Sequence, residues 1–267
     1  MQNSILLVLI LLSAQSLLAQ GRLYTGITEP IAQAHIGMTV PGIIDSIWVR
    51  EGNFVRQGDT LLNLSKAEEE IVVQMRYLAM QDQAELQAAV AKKEAAQKDY
   101  VALENLHKHS SSVSEAQLWE KKRDFLVAQA EWEKAMLNKS QDSLEYATSQ
   151  AQLAHRYMLA PFDGEIVSIT KNRAESVNAL EAFVEIADVR TCRLTAYLSV
   201  SQAKKIKKDQ KIRLQLGGDK KTRTRHGVVE FISPVVDKAS LLRTVKVVFD
   251  NSDGSIEPGV SGNIITK

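Results

Sequence analysis

Glycine and proline are missing from residues 66–156, although the rest of the chain holds all 13 glycines and all five prolines. Both residues interrupt helices, so a stretch of 91 residues without them can form very long helices. The stretch is also rich in Ala, Glu, Gln, Lys and Leu, which lose little conformational freedom on entering a helix. We therefore expect it to be helical over almost its whole length.

The sequence also has only one cysteine and almost no net charge. Cys192 is the only cysteine, so the chain forms no internal disulfide, and we expect Cys192 to be a buried strand residue rather than a reactive thiol. The net charge of +1 gives no indication that nucleic acid or an anionic membrane surface is the partner.

Catalytic and metal-binding motifs are not found. The sequence has no Gly-rich phosphate loop, no His-Glu-x-x-His motif and no nucleophile elbow. His107 and His109 could ligate a metal, but side chains two residues apart on a helix diverge, and no cysteine or third histidine lies near them in sequence. We therefore predict no catalytic residue, no metal and no cofactor, with both histidines solvated.

The Gly- and Pro-free stretch carries apolar residues at heptad spacing. Its first half places one a/d register on Val72, Met75, Ala79, Leu86, Ala89, Ala96, Tyr100 and Leu103, interrupted by Asp82 and Lys93. Its second half places another on Leu118, Phe125, Ala128, Trp132, Ala135, Tyr146 and Leu153. Apolar residues repeated in this way are typical of a coiled coil.

The heptad pattern breaks once, at residues 107–114. Three consecutive serines weaken a helix there, because their hydroxyl groups compete for backbone hydrogen bonds. Ser114 and Gln117 then predict an N-cap with a capping box, and Val113 is placed as its hydrophobic staple. We therefore expect two antiparallel helices of about 40 residues, each roughly 60 Å long. The alternative is one continuous helix that dimerises.

The segments on either side of the helices share one pattern. Residues 34–65 and residues 157–189 each contain a proline near their start, then short β-rich runs separated by turn signals. Each segment alone has too few strands to bury a core, but an antiparallel hairpin brings its two ends together. The sequence therefore predicts one β domain that is split by the helices.

The first 20 residues have the composition of a targeting segment. An uncharged apolar run is followed by small residues, as in a secretory signal peptide, although an uncleaved anchor is the alternative because no positive charge precedes the run. Residues 21–33 are then predicted to be an N-terminal strand or linker.

The two β segments resemble the split biotinyl/lipoyl-like domain of periplasmic adaptor proteins, also called membrane fusion proteins. PGIIDSIWVREGNFVRQGDTLLNL looks like the first half-motif of that family, and APFDGEIVSI looks like the second. Residues 190–267 are similar to its small β-barrel domain. The resemblance implies an α+β fold in which a long antiparallel coiled-coil α-hairpin, residues 66–156, is inserted into a split lipoyl-like β domain and a small β-barrel follows.

This resemblance also implies a function. Such a protein is a non-catalytic adaptor in the periplasm, which forms a homo-oligomeric ring and bridges an inner-membrane transporter and an outer-membrane exit duct. We favour an RND-type transporter over an ATP-driven (ABC) exporter. Proteins of two other classes, a biotinyl or lipoyl carrier subunit and a structural coiled coil, stay as alternatives. The carrier is disfavoured because the hairpin occupies the place where a carrier presents its modified lysine.

Two docking sites are expected. In adaptors that dock an outer-membrane duct, the hairpin tip resembles a shared motif. It has an Arg, then a Leu four residues later, then a Ser seven residues after the Leu. Here Leu103, His107 and Ser114 stand at those positions, and Leu106 serves as the leucine if the tip is shifted by one residue. The predicted tip site comprises Leu103, Leu106, His107, Val113, Ser114 and Leu118.

A possible transporter-docking basic patch comprises Lys204, Lys205, Lys207 and Lys208. The alternative is that these lysines form an ordinary solvated surface.

Overall fold

The computed structural model describes residues 22–110, 113–217 and 222–266, so the predicted signal segment lies outside the described residues. Four described helices are α1 (Ala67–Gln81), α2 (Ala84–His109), α3 (Glu115–Ala154) and α4 (Val200–Ala203). The strands are β1 (Arg22–Gly37), β2 (Gly42–Ile47), β3 (Phe54–Val55), β4 (Thr60–Leu64), β5 (Tyr157–Leu159), β6 (Gly164–Ile169), β7 (Ser176–Val177), β8 (Ala182–Ser199), β9 (Lys211–Leu216), β10 (Arg223–Ile232), β11 (Leu242–Asp250) and β12 (Ser261–Thr266). The predicted α+β fold is confirmed.

The split β domain forms from both of its predicted halves. Strands β2, β4, β5 and β7 make one four-stranded sheet, while β3 and β6 extend the sheet that contains β8. Residues before and after the hairpin pair directly, for example Gly42 with Val177 and Phe54 with Glu165. Buried Ile44 and Ile186 from the two halves share one core. The halves are held together because neither buries its apolar residues alone.

The barrel domain is a closed sheet of six strands in the order β1-β12-β9-β10-β11-β8, with β1 paired to β8. Helix α4 continues into a turn that buries Ala203 and Ile206 in the barrel core. Strands β1 and β8 are long enough to serve both β domains, so they run through the boundaries predicted at residues 33 and 189. Residues 22–27, predicted as strand or linker, pair with β12 as a barrel strand.

The first half of the hairpin differs from the prediction of one 40-residue helix. Helix α1 ends at Gln81, and Asp82 has extended backbone with ψ of 124°. The carboxylate of Asp82 accepts a hydrogen bond from Ala84 N at 2.9 Å, and α2 begins there. Asp82 therefore lies just after the end of α1 and, one residue before the N-cap position of α2, bonds the first main-chain amide of that helix.

The break changes which residues of α1 face α3. The predicted positions Val72, Met75 and Ala79 are exposed, whereas Val73 and Met80 are half-buried. The heptad register predicted for α1 is therefore wrong. The physical reason is that two residues outside the helix reset the rotation of α1 relative to α2, so one register cannot hold across both.

The predicted registers of α2 and α3 are correct. Leu86, Ala96 and Tyr100 are half-buried, and Ala128 and Ala135 of α3 are buried. Stacking of the Tyr100 and Phe125 rings, 6.1 Å apart and 3° from parallel, and an ion pair between Lys92 and Glu131 show that α2 and α3 run antiparallel within one chain. The alternative of one continuous helix is thereby ruled out. None of the described helices is long and apolar enough to cross a membrane.

Candidate partner-docking sites

The tip of the hairpin begins α3 with the predicted capping box. Ser114 Oγ accepts a hydrogen bond from Gln117 N at 3.3 Å, and the Gln117 side-chain oxygen accepts one from Ser114 N at 3.1 Å. These bonds satisfy main-chain N–H groups that lack partners at a helix start. The start of α3, and with it the length of the tip, is thereby set at Ser114.

Both tip histidines bond to the main chain. Nδ1 of His107 lies 3.0 Å from the carbonyl oxygen of Val113, so the ring joins the end of α2 to the start of α3. Nδ1 of His109 lies 2.8 Å from the carbonyl oxygen of Asn105. His109 is exposed, as predicted, whereas His107 is half-buried and closes the tip. Within the described residues no group of three or more His, Cys, Asp or Glu side chains could hold a metal.

The structure divides the predicted tip residues between the seam and the surface. Leu103 and Leu118 are half-buried on the seam between α2 and α3. Leu106 points away from that seam and is 54% exposed. Ser114, at the start of α3, is exposed, and Val113 is half-buried. Leu106 is therefore the predicted apolar residue that a partner could reach without opening the hairpin.

A charged cluster stiffens α2 just below the tip. The Tyr100 hydroxyl donates to Glu104 Oε1 at 3.1 Å, and Lys108 forms an ion pair with Glu104 at 3.2 Å. Hydrogen bonds from Lys108 and then from Tyr100 hold the pKa of the Glu104 carboxyl below its usual value. The same bond to Glu104 raises the pKa of Tyr100. The cluster therefore keeps Glu104 ionised and ties three successive turns of α2 together.

The predicted basic patch lies on the barrel domain. Ser199 and Gln202 form a second capping box that starts α4. The buried side chains of Ala203 and Ile206 anchor the helix and its following turn, and the four predicted residues, Lys204, Lys205, Lys207 and Lys208, are all exposed. Within the described part of the chain, none of the four forms an ion pair.

The fold adds residues to this patch that the sequence analysis did not find. Arg213 of β9 and His226 of β10 lie with Lys205 and Lys211 around one cavity of about 470 Å³ on the barrel wall. A signal was available for Arg213, because it alternates with the buried residues of β9 and so faces outward. That His226 stands beside it depends on strand pairing.

The hairpin also exposes an apolar stripe on α3. Its residues are spaced so that they lie on the side of α3 opposite the buried Ala128 and Ala135, and each is more than half exposed: Trp119, Leu126, Leu137 and Leu144. These four side chains take no part in the packing of α3 through its buried face. We call these four residues the α3 stripe.

Comparisons with known proteins agree with this architecture. Residues 194–267 match the family model described as CusB-like, beta-barrel domain. In fold the chain is similar to MacA from Actinobacillus actinomycetemcomitans, with a TM-score of 0.77, 22% identity, and coverage of 92% of this chain and 80% of that one. No protein of curated function is significantly similar to the chain in sequence.

Two further solved structures share the fold. The membrane fusion protein Spr0693 from Streptococcus pneumoniae R6 has a TM-score of 0.63, 15% identity, and coverage of 92% of this chain and 98% of that one. ZneB from Cupriavidus metallidurans has a TM-score of 0.52, 17% identity, and coverage of 92% and 70%. The chain thus has the fold of the membrane fusion proteins and a CusB-like barrel, which confirms the resemblance seen in the sequence.

Proposed function

We propose that the protein is the non-catalytic adaptor of a tripartite export system, in which it connects an inner-membrane transporter to an outer-membrane exit duct across the periplasm. The observation that carries this proposal is the order of the three parts. The hairpin returns to its starting point, where Leu64 N donates to Arg156 O at 2.9 Å, and projects α3 by about 60 Å. The barrel is joined to the same β domain through β1 and β8. Such a chain presents separate docking ends.

The hairpin tip is the proposed duct-docking end. The capping box at Ser114 and the bond from His107 to Val113 hold the end of α2 and the start of α3 together at the tip, and such preformed contacts lower the entropic cost of docking. Leu106 supplies exposed apolar area. Leu103 and Leu118 support the tip from the seam, so their role in docking is indirect.

The lysines of the barrel are the proposed transporter-docking end. Exposed lysines without ion pairs attract an acidic surface and increase the rate of encounter with it. We favour an RND-type transporter, because the family model that matches the barrel is named for RND systems. An ATP-driven exporter is the other transporter class that the experiment below distinguishes.

Self-association into a ring is the third part of the proposal. The α3 stripe extends over roughly 40 Å of helix, and charged residues such as Lys122 and Glu133 lie between its four apolar side chains. Leu144 lies at the level of α1, whose Ile71, Met75 and Leu78 are also exposed and apolar. Hairpins packed side by side would cover these residues.

Site-specific photocrosslinking in the producing cell tests the three contacts separately. A photoreactive residue at Val113 is expected to capture an outer-membrane duct protein, one at Leu137 a second copy of the chain, and one at Lys205 an inner-membrane transporter. The identity of the adduct at Lys205 decides between an RND-type and an ATP-driven partner. Capture of only the chain itself at all three positions would contradict the adaptor proposal and favour a structural coiled coil.

A matched pair of variants tests the tip more closely. We expect L106D to reduce the adduct from Val113 at least tenfold, because it places a charge where an apolar contact forms. V101D, on the same helix and also at an exposed apolar residue, should leave the adduct within about twofold. Equal loss in both variants would indicate damage to the hairpin rather than to a docking contact.

A further inference from the structure

The cavity on the outer wall of the barrel is lined by positively charged and apolar side chains. It lies where the turn after α4 meets β9 and β10, and its volume is about 470 Å³. Its polar lining comes from Lys205, Gln210, Lys211, Arg213 and His226, and Ile212 and Ile265 supply apolar surface. No aspartate or glutamate is among these lining residues, although Asp209 belongs to the same turn.

Hydrogen-bond donors dominate this lining. Lysine and arginine side chains can only donate, and histidine offers at least one N–H. Gln210 completes the set, because its side-chain oxygen already accepts a hydrogen bond from Lys207 N at 2.9 Å, which leaves the NH₂ group as its unused polar group. A cavity that offers donors and positive charge selects a ligand rich in acceptors and negative charge.

Strand pairing holds the positive groups close together. Arg213 stands directly opposite His226 on β10 and Ile265 on β12. Lys211 lies two residues from Arg213 and therefore on the same face of β9. Neighbouring like charges on a sheet face destabilise it. Within the described residues neither Lys211 nor Arg213 has an acidic partner, so a bound anion would offset the repulsion.

We propose that this cavity binds a phosphate ester, with the phosphate held by Arg213 and Lys211 and the organic part against Ile265. Arginine binds phosphate through two parallel N–H bonds, which fixes orientation as well as charge. The volume lies within the range of about 300–1,000 Å³ typical of small-molecule sites, which leaves room for more than the phosphate alone. The phosphate ester comes either from a soluble molecule or from an anionic phospholipid headgroup.

This site goes beyond the adaptor function and does not depend on it. Of the four predicted docking lysines only Lys205 lines the cavity. Binding can therefore be measured on the purified full-length chain without transporter or duct, and loss of transporter docking would leave the result unchanged.

The experiment titrates the chain with glycerol 3-phosphate by calorimetry, and separately measures its flotation with phosphatidylcholine vesicles that do or do not contain about one fifth phosphatidylglycerol. All measurements use one fixed ionic strength, because charge attraction is screened by salt. R213Q is the test variant, since it removes the bidentate donor while keeping polarity and approximate size. The K204Q/K208Q double variant is the control, because both lysines belong to the basic patch but not to the cavity lining.

We expect saturable binding that R213Q weakens at least tenfold and K204Q/K208Q changes by less than threefold. Binding of glycerol 3-phosphate in solution would identify a soluble ester as sufficient, whereas Arg213-dependent binding to the anionic vesicles alone would identify the lipid headgroup as the source. Absence of saturable binding in both assays would overturn the proposal. Equal weakening by R213Q and K204Q/K208Q would also overturn it, because that result describes diffuse charge attraction. Unchanged circular dichroism of R213Q excludes misfolding as the cause.

Discussion

The ammonium group of Lys139 in α3 donates a hydrogen bond to the main-chain carbonyl of Asp82, at the point between α1 and α2 where the helix is broken. It also lies 3.4 Å from the carbonyl oxygen of Ala79. Carbonyl groups at the end of a helix lack partners within the helix. A cation from the opposite helix therefore completes the end of α1, and the break is stabilised across the hairpin.

Replacing this lysine should loosen the break. We expect K139M, which keeps the aliphatic length but removes the donor, to increase amide hydrogen exchange at residues 78–84 by about threefold to tenfold, the factor that corresponds to one lost hydrogen bond. K134M, at an exposed lysine of the same helix, is the control and should leave exchange there unchanged. Exchange that rises equally in both variants would show that Lys139 does not hold the break.

The capping box at the tip makes a second prediction. S114A removes the side-chain acceptor for Gln117 N and should lower the free energy of unfolding of the hairpin by about 1 kcal/mol. S114D should retain most of the stability, because aspartate is also a good N-cap and its charge suits a helix N-terminus. Urea unfolding followed by circular dichroism measures both. A loss in S114D as large as that in S114A would contradict the capping role.

Asn251 should be important for the junction of the barrel with the β domain. Its buried side chain donates to Val189 O at 2.9 Å and to Ile256 O at 2.8 Å, and accepts from Ile256 N at 2.9 Å. Val189 lies where the pairing of β8 with β1 shifts register, so Asn251 replaces ladder bonds that the strands do not make. We expect N251A to lower the free energy of unfolding by roughly 2–4 kcal/mol, since it leaves buried polar groups without partners.

The control for this variant is N105A, at an exposed asparagine of α2, which should change stability by less than about 0.5 kcal/mol. Thermal and urea unfolding of the two variants provide the comparison. A loss below about 1 kcal/mol in N251A would mean that water or a shifted main chain takes over the three bonds.

Because of Cys192, we expect the free energy of unfolding to decrease at alkaline pH. Burial raises the pKa of its thiol to about 11, and a hydrogen bond from Asn251 lowers it only in part. The folded state thus holds the thiol proton more tightly than the unfolded state does, whose pKa is near 9. The stability from this difference is complete below pH 9 and decreases as the pH rises from 9 to 11.

Urea unfolding at several pH values from 7 to 11 tests this dependence by comparing the natural chain with C192A. We expect the two free energies to keep a constant difference up to about pH 8.5 and the natural chain to lose more stability above it. Parallel curves over the whole range would show that the pKa of the Cys192 thiol is the same in the folded and unfolded states.

Much of the fold followed from local patterns in the sequence. The seam of α2 and α3 was predictable because apolar residues repeat on one face of each helix. The start of α3 was predictable because Ser114 and Gln117 are spaced to hydrogen-bond each other's main-chain N–H groups within one helical turn. The split β domain was predictable because both halves carry the same strand and turn signals. Each of these features depends on residues close together in the chain.

Other features depend on contacts between distant segments. The sequence alone determined the helical stretch, its reversal and the two β halves, through propensity, heptad spacing and turn chemistry. The tertiary structure alone decided the break at Asp82, which Lys139 stabilises from 57 positions away. It also decided the phosphate-ester cavity, because only pairing of β9 with β10 brings Arg213 to His226. Local patterns encode which residues enter a helix or strand, but the register between elements is set by packing of the whole chain.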